Sequence, residues 1–131
     1  MNSERKTVVV TGASRGIGHA TATHFLERGW RVITCSRAAL PTEWPPECKR
    51  DPNWTLHVPT DLTDAASLAR FVAQVSDALG AAPLHALVNN AGISPKTPFK
   101  ERLGCLNGDL DAWREVFELN LFAPLKLCRG F

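Results

Sequence analysis

Thr7-Val8-Val9-Val10-Thr11-Gly12-Ala13-Ser14-Arg15-Gly16-Ile17-Gly18 decides how the rest of the chain is read. An apolar run of strand-forming residues passes into a glycine-rich turn, and the turn passes into residues with helical spacing. The first backbone N–H groups of a helix have no partner within it, and the aligned peptide dipoles place about half a positive charge there. A strand, a glycine turn and a helix in that order cradle an anion, and a pyrophosphate suits the cradle. Gly12 turns the chain, Gly16 leaves room for a phosphate to approach the backbone, and Gly18 lets the helix lie close on its strand. The spacing departs from the common dinucleotide fingerprint, with three residues between Gly12 and Gly16 and one between Gly16 and Gly18.

Beyond the turn, Ala22, Phe25 and Leu26 keep helical spacing up to Gly29, where a left-handed cap is expected. Trp30–Cys35 reads as a second strand. Ser36 to Asn53 holds Pro41, Pro45, Pro46 and Pro52, which argues for a shortened helix or an irregular crossover. Trp54–Val58 reads as a third strand, and Thr63 as the N-cap of a helix with Leu68, Phe71, Val72, Val75 and Leu79 on its apolar stripe. Leu84–Asn89 is the fourth strand. The long connection from Ile93 to Asp109 reads as a functional loop. A last helix runs from about Leu110 to Cys128, with Trp113, Phe117, Leu121, Leu125 and Cys128 as its stripe and a kink expected at Pro124.

This alternation predicts an α/β fold: a doubly wound, Rossmann-type parallel sheet in the order 3-2-1-4. A single domain over 1–131 is expected, interrupted after the fourth strand and the fourth helix, where a fifth strand would begin. The strand order switches between strands one and four, so a ligand is expected where the glycine turn faces Asn89-Asn90-Ala91-Gly92.

Composition narrows the function classes. Lys plus Arg is 15 and Asp plus Glu is 13, a formal charge of +2 without a basic run, which argues against nucleic acid and membrane surfaces as partners. The polar start and the lack of a long apolar stretch lead us to expect a soluble, cytoplasmic protein. Cys35, Cys48, Cys105 and Cys128 stand far apart without a CxxC pair, as reduced, packing cysteines do, and no metal site is expected. The sequence contains no tyrosine.

The glycine turn, Asp61-Leu62, Asn89-Asn90-Ala91-Gly92 and Asn120, in that order and on matching elements, closely resemble the N-terminal half of a short-chain dehydrogenase/reductase. The resemblance implies that Gly12, Ser14, Gly16, Ile17 and Gly18 surround the cofactor phosphates. It implies further that Asp61 and Leu62 meet the adenine, and that Asn90, Ala91 and Gly92 line its ribose side. Each has a plainer alternative: Asp61 can help cap the next helix, and the asparagines can satisfy backbone groups at a strand end.

Charge bears on the cofactor type. A site for NAD(H) uses an acid after the second strand to accept the ribose hydroxyls, whereas here the region reads Cys35-Ser36-Arg37. Arg37, with Arg15 in the glycine turn, favours a 2′-phosphate, because a guanidinium binds phosphate through paired hydrogen bonds. NADP(H) is therefore expected over NAD(H), with two solvated surface arginines as the alternative.

Pro124 lacks the N–H that would bond the Asn120 carbonyl, which leaves that carbonyl available. In the family an asparagine here holds a water of the proton relay through its backbone carbonyl. The resemblance carries that catalytic role to Asn120; a satisfied core asparagine is the other reading. The family's serine and its Tyr-x-x-x-Lys pair map onto nothing in this chain, and Lys126 reads as a solvated or partner-facing charge. The expected function is thus NADP(H)-dependent hydride transfer to or from a small-molecule carbonyl or alcohol by the complete enzyme, with no turnover from these residues alone. A non-catalytic NADP(H)-binding module and a truncated, inactive copy remain open. The family's use of the fourth helix in assembly leaves room for a homo-oligomer.

Overall fold

The computed structural model describes residues 5–39 and 53–131. Part of the crossover expected between Ser36 and Asn53, including Cys48, lies outside the described residues, as do the first four residues of the chain. The elements are β1 (Thr7–Thr11), α1 (Gly16–Glu27), β2 (Arg31–Ser36), β3 (Thr55–Pro59), α2 (Ala65–Leu79), β4 (Ala86–Val88), α3 (Leu110–Phe117) and α4 (Ala123–Gly130). A π-helical turn, Glu118–Phe122, joins the last two.

The strands pair in parallel in the order β3-β2-β1-β4, as the sequence predicts, and among the described residues β4 is paired on one side only. β1 is buried along its whole length because both faces of a parallel sheet are covered. Its alternate side chains feed two cores. Val8 and Val10 join Val32 beneath Ala22 and Leu26 of α1. Val9 joins Ile33 and Cys35 beneath Phe71 and Val75 of α2 and Ala123 and Leu127 of α4. This arrangement leaves the carboxyl ends of β1, β2, β3 and β4 to carry the loops that meet above the sheet.

Two local expectations are corrected at helix ends and breaks. The N-cap of α2 is Asp64, whose carboxylate accepts from the Ser67 N–H at 2.7 Å. Thr63 instead donates its hydroxyl to Asp61 Oδ1 at 2.6 Å, so it is already committed to the preceding turn. The break in the last helix is the π-helical turn, in which the Ala123 N–H reaches the Glu118 carbonyl five residues back. Pro124 opens α4 in the first turn, a position where its missing N–H costs little.

The stripe Phe117, Leu121, Leu125 and Cys128 is exposed, and the face that packs on the sheet is Leu119, Ala123 and Leu127. Small residues explain the choice: Ala123 is fully buried, and a Cβ at Gly130 would come within 3.0 Å of Val72, so α4 and α2 approach closely. Lys126 pairs with Glu118 at 2.6 Å across the π-helical turn, where the sequence suggested a solvated or partner-facing charge. Among the described residues no helix is long and apolar enough to cross a membrane, and no group of potential ligands could hold a metal ion.

Candidate cofactor site

The glycine turn is locked to the β4 loop by atoms within the chain. Thr11, nearly inaccessible at the end of β1, accepts through Oγ1 from the Asn90 N–H at 3.1 Å and the Ala91 N–H at 3.0 Å. Asn90 answers by donating its side-chain amide to the carbonyls of Thr11 (3.1 Å) and Gly12 (3.2 Å). Gly12 lies at φ +66°, and a Cβ there would sit 2.9 Å from the Ala91 Cα. At Gly18 a Cβ would overlap the Gly12 carbonyl and the Asn90 amide. Glycine at both positions is therefore a condition of this close approach. The backbone role that the sequence left open for Asn90 is filled; Asn89 instead directs its amide toward Cys128 Sγ at 3.7 Å.

Above the turn the start of α1 is left open. Arg15 is the N-cap residue and makes no side-chain cap, no acid occupies the first turn, and the first intrahelical bond is His19 N–H to the Arg15 carbonyl. The N–H groups before it have no helical acceptor. A Cβ built on Gly16, at φ +58°, meets nothing within 4 Å, so the approach to those donors is clear. These residues suit a pyrophosphate.

The donors face a cavity of about 730 Å³, ample for a small-molecule ligand. One wall is the turn itself, with Gly12, Ser14, Arg15, Gly16 and the exposed Ile17; the second is Cys35 and Ser36 at the end of β2 with Arg37 and Ala38 after it; the third is Thr60, Asp61, Leu62 and Thr63 after β3. Asn90, Ala91, Gly92 and Ile93, with Glu115 of α3 and Leu119 of the π-helical turn, complete it. Every residue expected at the cofactor lines this cavity except Gly18, which sits behind the turn and permits its packing.

The acid on the third wall is held ionised. Asp61 Oδ1 accepts from the hydroxyl (2.6 Å) and the N–H (3.0 Å) of Thr63. Those two bonds, against an opposing effect of burial and with the nearby Arg37 charge as the least of the causes, hold its carboxyl below the usual carboxylate range. Cys35 is the reverse case: burial pushes its thiol up to about 12, so it lines the cavity floor as an unreactive packing group.

Asn120 lies off the cavity lining. Its side chain clamps Ile93 from both sides, Oδ1 accepting from the N–H and Nδ2 donating to the carbonyl, each at 2.8 Å. A Cβ at Gly92 would meet Oδ1 at 3.2 Å, a tight contact, so the glycine gives the clamp room. Sequence reading singled out neither Thr11 nor Glu115. A threonine in a strand looks like a strand former, and an acid on an exposed helix turn looks like a solvated charge; only the fold brings either to the crevice.

Comparison with known proteins agrees with this geometry. A family model for short chain dehydrogenases matches residues 6–131. The protein FixR of Bradyrhizobium diazoefficiens is 48% identical over 127 residues, a match covering 97% of this chain and 45% of that protein. A short-chain dehydrogenase/reductase family oxidoreductase from Brucella ovis, solved with a partially ordered NAD, superposes with a TM-score of 0.83 at 45% identity, covering 97% of this chain and 56% of that one. The NADPH-bound carbonyl reductase from chicken fatty liver gives a TM-score of 0.79 at 31% identity, covering 98% of this chain and 50% of that one. The chain thus spans about half the length of such relatives. With the sheet order, the open helix start and the glycine-packed crevice in agreement, this chain belongs to the short-chain dehydrogenase family.

Proposed function

We propose that the crevice binds NADP(H) in preference to NAD(H), as the cofactor region of an oxidoreductase that interconverts small carbonyl and alcohol compounds. The observation that carries this reading is the wall after β2: Arg37 follows Ser36 directly into the cavity, with Arg15 on the adjacent wall and no acid between Cys35 and Ala38. Two arginines lining one cavity suit a ribose 2′-phosphate, whereas an acid would be needed to accept both ribose hydroxyls.

Bound there, the nicotinamide would supply the hydride. The chain's own residues would hold and orient the molecule. The N–H groups at the start of α1 would receive the pyrophosphate beside Gly12 and Gly16, Ser14 and Ile17 would flank it, and Gly18 would keep the turn seated. Asp61 and Leu62 would meet the adenine, since the Asp61 carboxylate is ionised and only one of its oxygens is committed to Thr63. Asn90, Ala91 and Gly92 would line the ribose side. Asn120 would serve the reaction through its backbone carbonyl, as a holder of a relay water, while its side chain keeps the Ile93 backbone in place.

The family's proton-donating tyrosine has no counterpart in these residues, because the sequence contains none. We therefore expect binding without turnover from this chain, in a cytoplasmic setting. Nothing on the crevice calls for nucleic acid or membrane, and a homo-oligomer through the exposed face of the last helix fits its apolar side chains. A non-catalytic NADP(H)-binding module is the second reading, supported by the same absence of tyrosine.

Titration calorimetry with NADPH and NADH tests the cofactor reading. Replacing Arg15 and Arg37 together by Ala should weaken NADPH roughly tenfold or more, the value of charge-assisted hydrogen bonds lost at one phosphate, and leave NADH nearly unchanged. Equal affinities for the two cofactors before and after the change would sink the NADP(H) assignment. Reduction of a carbonyl by the purified chain would sink the expectation of binding without turnover.

A further inference from the structure

A polar chain runs beneath the residue that follows β2. Thr34 of β2, fully buried, is paired in register with His57 of β3, so their side chains leave the same face of the sheet. Thr34 Oγ1 lies 2.9 Å from His57 Nδ1. The other ring nitrogen, Nε2, lies 3.2 Å from the Ala38 carbonyl and 3.3 Å from Ser36 Oγ. Ser36 donates its hydroxyl to that same carbonyl at 2.6 Å.

The partners determine where the protons sit. A carbonyl oxygen only accepts, so Nε2 carries the hydrogen that points at Ala38. Burial pushes His57 below its ordinary pKa, with the Ala38 carbonyl opposing, which keeps the ring neutral. Nδ1 is then a bare acceptor, and Thr34 donates its hydroxyl to it, the Leu56 carbonyl being farther at 3.5 Å. Two donors thus converge on the carbonyl just after Arg37, while the Thr60 N–H holds the Ser36 carbonyl just before it at 2.9 Å. Arg37 stands on a short arch fastened at both ends, with its side chain exposed on the cavity.

A long cation on a mobile loop loses conformational freedom when it binds an anion; one on a fixed arch loses less. We propose that His57 is a positioning residue for Arg37, fastening the Ser36–Ala38 arch so that the guanidinium meets a ribose 2′-phosphate, and thereby sharpens discrimination for phosphorylated over unphosphorylated dinucleotides. The inference rests on the reading that Arg37 takes that phosphate.

Calorimetry on the full chain with adenosine 2′,5′-bisphosphate and with 5′-AMP separates the two claims, because the probes differ only in the 2′-phosphate. His57→Leu should weaken the bisphosphate roughly three- to tenfold, the entropy of one reordered side chain, and move 5′-AMP by less than about twofold. His57→Gln, whose amide N–H can replace Nε2–H toward Ala38, should recover most of the loss. Thr34→Val, which frees the ring at Nδ1, should show a smaller loss of the same kind and carries the test should His57→Leu not fold. In an Arg37→Ala background His57→Leu should cost nothing further.

Equal weakening of both probes, or an undiminished His57→Leu loss in the Arg37→Ala background, would overturn the inference. A discrimination that falls in Arg37→Ala yet stands in His57→Leu and Thr34→Val overturns it alone. A discrimination unchanged in Arg37→Ala overturns the Arg37 reading as well.

Discussion

At the crevice, Thr11, Gly12 and Asn90 answer one another's backbone groups within hydrogen-bond distance, and β1 leading into it is buried along its whole length. On the last helix, Phe117, Leu121, Phe122 and Leu125 are each about half exposed, and only the opposite face reaches the core. Both regions look apolar and ordered in sequence. The first meets its own needs from residues of this chain, because every close approach there is made by a glycine or a side chain designed into the turn. The second presents apolar surface that this chain does not cover among the described residues. Stability should therefore be sensitive to single atoms in the crevice and to only one face of the helix.

The largest expected contrast lies within the helix itself. Leu127 is 1% exposed in the core beside Phe71, whereas Leu125, two residues earlier, is 51% exposed. Leu127→Ala should cost about 2–5 kcal/mol, the transfer loss plus a cavity. Leu125→Ala should stay within about 0.5 kcal/mol. Urea unfolding of the two variants measures the difference; comparable losses would mean that the outer face is covered in solution, for example by a second copy of the chain.

In the crevice the next effect comes from one hydroxyl. Thr11→Val keeps the shape but removes the acceptor of the Ala91 N–H, while the Asn90 N–H keeps the Val88 carbonyl at 3.1 Å, and one donor left without its partner should cost about 1–3 kcal/mol. Gly16→Ala sharpens the comparison from the other side. Its Cβ would meet no protein atom within 4 Å, so the cost is about 1 kcal/mol for the left-handed backbone, yet the methyl stands where a phosphate would approach. Melting and NADPH titration together should show Thr11→Val losing mainly stability and Gly16→Ala mainly affinity.

Much of this was legible beforehand, for physical reasons that can be named. The strand order follows from Val8-Val9-Val10, apolar on both faces as only a central parallel strand is, and from the period change into Ala22 and Leu26. The crevice follows from glycines whose jobs differ. Less legible were choices between neighbours of equal propensity. Thr63 and Asp64 are both good N-caps, and the decision came from the hydrogen bond that already occupied Thr63. The last helix carries apolar residues on two faces, and the buried one is marked by small residues, Ala123 and Gly130, that a count of large side chains overlooks. Thr11 and His57 act through partners many residues away, which no local pattern encodes.

The smallest expected effect sits at the crevice rim, where the chain is neither locked nor bare. Thr63 holds the Asp61 carboxyl below its ordinary range, first through the hydroxyl and then through the N–H. A carboxylate whose folded pKa is depressed contributes stability above its unfolded value, and that contribution is lost as pH falls through the folded one. Thr63→Val removes the larger cause, so the Asp61 titration should move up toward the usual carboxylate value near 3.9. The variant should be slightly less stable than the parent at about pH 6, and the gap should close as pH falls through the folded Asp61 titration. Carbon-detected titration of Asp61 and melting across that pH range measure this. An unmoved titration would mean that the Thr63 N–H, which the variant keeps at 3.0 Å from Oδ1, is enough to hold the carboxyl below its ordinary range without the hydroxyl.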